Sequence, residues 1–155
     1  MITVQHIHPM LVHFPIVLFL LLAVVDTVAT LRAVPVTGRT AMGNASTGLA
    51  LLSGLFAIAA YVLGDMALEF AEAGGFHSDV AEIHEGLGEA TAATFAVWAV
   101  IRVIAWWRNV KVQGAAAGLL SVVELAGAAL VITTAFYGGN LVYDLGVNVA
   151  VAAGS

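Results

Sequence analysis

The chain has 155 residues, a net charge of −5, 61% hydrophobic residues and only 10% charged ones, with a mean hydropathy of +1.01. Soluble domains carry about 25% charged residues, so a chain of this size lacks the polar surface to cover a water-facing exterior. The acidic balance argues against nucleic acid as a partner, and the absence of cysteine excludes disulfides, iron–sulfur clusters, thiolate metal sites and c-type haem attachment.

Apolar runs predict a single transmembrane domain over residues 1–155, with helices at about residues 9–32, 45–70, 79–108 and 115–138. Each run holds about 20 residues or more, enough to cross a hydrocarbon core of about 30 Å. Lipid admits only helices and closed barrels, and the runs lack the period-2 alternation of barrel strands. The fold class is therefore all-α, an integral membrane four-helix bundle. The first run has no Lys or Arg before it and basic residues after it, at Arg32 and Arg39, so it reads as a retained helix rather than a cleaved signal. Pro35, Thr37 and Gly38 mark the first break. In the second run, Ala45, Gly48, Gly54 and Ala57 suit close helix packing. Gly74 and Gly75 mark the next break, followed by Asp79 with Glu82 as a capping box or Ser78 as the rival cap. Asn109 to Gly114 separates the third and fourth runs, and Gly138 with Gly139 is expected to end the fourth helix. The apolar last dozen residues lie against the membrane or pack back on the bundle.

All five basic residues, Arg32, Arg39, Arg102, Arg108 and Lys111, fall on or near the side shared by the first and third breaks. By the positive-inside rule that side is cytoplasmic. The expected location is the bacterial inner membrane, multi-pass, with both termini periplasmic. Trp106 and Trp107 would mark the cytoplasmic interface, and Phe136, Tyr137 and Tyr143 the outer one.

The histidines concentrate at that outer end: His6, His8, His13, His77 and His84. His8 stands at the start of the first helix and His13 about 7 Å deeper. His77 stands just before the third helix and His84 about five residues inside it. Equal depth pairs His13 with His84, and His8 with His77 in a shallower layer. Imidazoles facing each other across a bundle make an axial pair for haem iron, and Gly86 and Gly88 would leave room for a flat macrocycle. Amphipathic interface histidines are the bland alternative. Zinc or copper is the sharper rival, since imidazole suits both, with Asp79, Glu82, Glu85, Glu89 and Asp144 as oxygen donors, as hydrogen-bond partners of the imidazoles, or as a solvated rim. In the other half, Asp26 and Arg102 stand at one depth and are expected to pair. Glu124 is nearby, either joining them, staying protonated or carrying protons.

The opening His8-Pro9-Met10-Leu11-Val12-His13-Phe14-Pro15 resembles the histidine–proline signature of the membrane-protein family called domain of unknown function 2231. Ile83-His84-Glu85, and the closing Gly138-Gly139-Asn140-Leu141-Val142-Tyr143-Asp144-Leu145-Gly146-Val147, are similar to that family's later motifs. The resemblance spans nearly the whole chain and implies a small prokaryotic four-helix membrane protein. It makes His8 and His13 motif residues. Members carry two close histidines at the third helix start, whereas His77 and His84 here are seven apart, so only His84 carries over. Fusions of some members to cytochrome-like domains imply redox work. In the closing stretch, Asn140, Tyr143 and Asp144 either cap a cofactor or terminate the helix.

The expected function is a b-type, bis-histidine haem protein holding one or two haems through His13, His84, His8 and His77. It would transfer electrons in or near a respiratory chain, between a quinone or membrane enzyme and a periplasmic partner. The alternative is a zinc- or copper-binding or transport protein, or an accessory subunit of a larger complex. The lipid bilayer is the implied surrounding, and a homo-oligomer is compatible with either reading.

Overall fold

The computed structural model describes residues 4–147 and 149. Its elements are all helical: α1 (Val4–Leu11), α2 (His13–Leu31), α3 (Ala41–Ala73), α4 (Asp79–Trp107) and α5 (Ala115–Tyr143). Four stretches are long and apolar enough to cross a membrane, the first of them running His6–Leu31 through α1 and α2. The α1–α2 interruption has a covalent cause. Pro15 has no N–H to give the Leu11 carbonyl, and the helix pauses at Val12, which itself keeps helical dihedrals.

Four boundaries differ from the sequence reading, one of them the start of α3 at Ala41 rather than 45. The first helix starts at Val4, α3 reaches Ala73, and α5 continues through Gly138 and Gly139 to Tyr143. Glycine does not stop a helix whose neighbours hold it in place, and Gly138 is kept small for a reason given below. Ser78 is the cap of α4, its hydroxyl accepting the Val80 N–H. Thr40 caps α3 through the Gly43 N–H. Of the apolar closing segment, residues 148 and 150–155 lie outside the described residues.

The helices form a ring in which α2 packs on α3, α3 on α4, α4 on α5, and α5 back on α2. α3 packs on α4 at Gly54, and Ala50 and Ala57 join Ala92, Phe95 and Trp98 of α4 in the core. A Cβ on Gly54 would lie 3.0 Å from the Phe95 carbonyl oxygen, so small residues set the approach of these helices. The centre holds Phe19 stacked on Phe95, with ring centroids 3.7 Å apart, packed among Leu22, Trp98 and Val131. Outward-facing Val17, Leu21, Val24, Val97, Val100 and Ile104 are exposed, as a lipid-facing surface requires.

Two ends can be told apart. At the basic end, the α2–α3 and α4–α5 loops clasp each other. Thr37 donates its hydroxyl to the Val110 carbonyl and accepts the Val112 N–H, while Arg39 donates to the Trp107 carbonyl and lies over the Trp106 ring. At the histidine end the first span diverges. α2 packs on α5, but no Cα of α1 comes within 8 Å of one in α4 or α5; α1 leans on α3 instead.

Candidate functional site

The structure brings His8 and His84 together. Their rings meet edge to face at the diverging end of the bundle, with centroids 6.4 Å apart and planes 77° apart. Each ring is held from behind. His8 Nδ1 donates to the Ala60 carbonyl of α3 at 2.9 Å, and His84 Nδ1 donates to the Thr134 carbonyl of α5 at 3.0 Å. A carbonyl only accepts, so Nδ1 carries the hydrogen, and in the neutral ring Nε2 is left with its lone pair. Neither Nε2 has a protein hydrogen-bond partner among the described residues, and neither is sealed from its surroundings.

Glycines on the two supporting helices let the rings sit so close. A Cβ at Gly64 would lie 2.8 Å from His8 Cε1, and one at Gly138 would lie 2.9 Å from His84 Cε1. Behind His84 a hydroxyl pair fixes the local backbone: Thr134 Oγ1 and Thr91 Oγ1 share a hydrogen bond of 2.9 Å, and Thr91 also donates to the Leu87 carbonyl.

The expected pairing of His13 with His84 by depth is not what forms. His13 is exposed at the start of α2, and His77 is exposed in the α3–α4 connection. The reason is angular. Five residues turn a helix by about 140°, so when His8 points into the bundle, His13 points out. Equal depth along the axis does not make two side chains face one another; rotation about it decides. Around Gly86 and Gly88 there is open space. A Cβ at Gly86 meets nothing within 4 Å, and one at Gly88 meets only Tyr61, at 3.9 Å. Gly64 and Gly138 are the glycines that lie against the imidazole rings. Tyr143 is 89% exposed and Asp144 is exposed too, so neither covers the rings, while the Asn140 carbonyl is engaged by the helix end.

The chemistry open to the pair follows from its donors. Two imidazoles gripping one ion from opposite sides at about 2 Å each put their centroids about 6 Å apart, which the observed 6.4 Å matches. Among the described residues, no group of three or more His, Asp or Glu side chains gathers anywhere. Tetrahedral zinc needs three or four such donors. An axial haem pair needs two imidazoles and nothing else.

A second polar cluster lies toward the basic end. Arg102, fully buried, donates through Nη1 to Asp26 at 2.5 Å and to Glu124 at 2.7 Å, and through Nη2 to the Val36 carbonyl at 2.6 Å. Ser46 donates its hydroxyl to the other Asp26 oxygen. Trp98 Nε1 donates to Glu124 at 3.1 Å. The expected Asp26–Arg102 pair is present, and Glu124 joins it.

Comparison with known families places the chain. Residues 5–151 match the family described as "Predicted membrane protein (DUF2231)". The chain belongs to this family. The match takes in His8, His84, Gly64 and Gly138, so both halves of the facing pair lie inside the region the DUF2231 proteins share. No curated protein and no solved structure matches it.

Proposed function

We propose that this DUF2231 protein binds one b-type haem between His8 and His84 and carries electrons within the membrane. One observation supports this above the others: two imidazoles on different spans, each with Nδ1 tied to a backbone carbonyl and Nε2 unengaged, with ring centroids 6.4 Å apart, a spacing an axial pair can adopt. Backbone hydrogen bonds of this kind fix the tautomer and raise the basicity of the ligating nitrogen. The divergence of α1 from α4 and α5 favours a flat ligand at this end. Bound there, haem would supply a reversible one-electron couple. With both axial positions taken by imidazole, no iron position stays open, which favours electron transfer over oxygen chemistry.

Ala60 and Thr134 would orient the rings, and Gly64 and Gly138 would admit them. The second haem expected at His13 and His77 is not part of this proposal, since those side chains diverge. Zinc is disfavoured by the two-donor set; a single copper ion between the imidazoles is the remaining metal alternative. We place the histidine end outside the cytoplasm, because Arg32, Arg39, Arg108 and Lys111 stand at the other end. A quinone or an extracytoplasmic protein would be the redox partner.

The test is a hemin titration of the purified protein in detergent. The expected result is saturation at one haem per chain with a low-spin spectrum. Failure to bind hemin, with one copper or zinc taken up instead, would overturn the reading.

A further inference from the structure

The Asp26–Arg102–Glu124 cluster holds two carboxyls and one guanidinium in the membrane interior, and the side chains of all three are 0% exposed. Each of the four spans contributes to it or to its rim. α2 brings Asp26, α4 brings Arg102 and Trp98, and α5 brings Glu124. α3 brings only the hydroxyl of Ser46, and the α2–α3 loop the Val36 carbonyl. With both carboxyls ionised, the cluster carries one uncompensated negative charge. An unpaired charge away from water costs several kcal/mol or more. One added proton makes the cluster neutral.

The hydrogen bonds say where that proton sits. Both Asp26 oxygens accept from donors, one from Ser46 and one from Arg102, which is the environment of a carboxylate. Glu124 is different. Its Oε1 accepts twice, from Arg102 and Trp98, while its Oε2 is buried with no partner. Arg102 Nε is also buried without a partner. Buried polar groups in native proteins are rarely left so. Two unpartnered polar atoms within one buried cluster, Glu124 Oε2 and Arg102 Nε, mark it as more than a saturated ion pair.

We propose that this cluster is a one-proton binding site, with Glu124 in its acid form. The site is closed toward the histidine end by the Phe19–Phe95 stack, and a Cβ at Gly127 would already strike Phe19 at 2.6 Å. Toward the basic end the lining becomes polar. One turn from Asp26 and Glu124, Thr30 and Ser121 share a hydrogen bond of 3.2 Å. Proton uptake here does not depend on what His8 and His84 hold.

Infrared spectroscopy of the purified full-length protein at neutral pH tests the site, reading the carbonyl stretch of a protonated carboxylic acid and its shift in heavy water. The wild type should show one such band, and Glu124→Gln should lose it. Asp26→Asn should lose it as well, because one carboxyl facing one guanidinium ionises; this second variant also serves if Glu124→Gln fails to fold. Absence of the band in the wild type, its survival in Glu124→Gln, or its survival in Asp26→Asn would each overturn the proposal.

Discussion

His84 and Arg102 lie on the same stripe of α4, eighteen residues and therefore about five full turns apart. The same interval separates His8 from Asp26 on the first span and Gly64 from Ser46 on α3. The contacts repeat with it. At one level Asp26 meets Arg102 and Ser46; five turns away His8 faces His84 and rests against Gly64. The same eighteen-residue interval thus links the ion cluster at one end to the imidazole pair at the other, even though the first span is interrupted at Val12 between them.

Closeness to the imidazoles makes Gly64 and Gly138 sensitive positions. Ala at either would place a methyl within 3 Å of an imidazole carbon and push the ring off its carbonyl partner. Loss of such an orienting contact costs about 10–100-fold in affinity at metal sites. Hemin titration of Gly64→Ala and Gly138→Ala should show weakening of that order, whereas Gly86→Ala and Gly88→Ala, which meet open space or a 3.9 Å contact, should bind as the wild type does.

The interval also explains what the sequence disclosed and what it withheld. Hydropathy alone placed the four spans, because lipid leaves few alternatives. The Asp26–Arg102 pair was legible too, since two opposite charges at one depth in a membrane need each other. From that pair the histidine partner follows: counting five whole turns back from Asp26 reaches His8, and from Arg102 reaches His84, whereas His13 lies far round the helix. The pairing of His13 with His84 used rise and neglected rotation. The stop expected at Gly138 failed for a related reason. A glycine near a helix end reads as a terminator, and only the three-dimensional approach of His84 shows that the residue is small to admit a ring. The Ala60 and Thr134 carbonyls carry no sequence signal at all, because every residue has one.

Removing the cation from the ion cluster should be costly. Arg102→Met would leave Asp26 and Glu124 buried without their shared donor, and breaking such a pair destabilises by about 3–5 kcal/mol. Thermal or denaturant unfolding in detergent should show it. Exposed Arg108→Met, at the C-cap of α4, should change stability by less than about 0.5 kcal/mol.

The aromatic stack between the two sites depends on Gly127. Its hydrogen faces the Phe19 ring, and a methyl there would sit 2.6 Å from a ring carbon. Gly127→Ala should therefore destabilise by about 1–3 kcal/mol, the range for overpacking a tight core, measured by the same unfolding assay. Gly118→Ala on the same helix, where a Cβ meets nothing within 4 Å, should not destabilise.

The most direct measurement is electron paramagnetic resonance of the oxidised, haem-loaded protein, with four single variants alongside the wild type. The wild type should give a low-spin bis-imidazole signal. His8→Ala and His84→Ala should each lose it, and His13→Ala and His77→Ala should each keep it. A low-spin signal that survives replacement of His8 or His84, or one that depends on His13, would contradict the account.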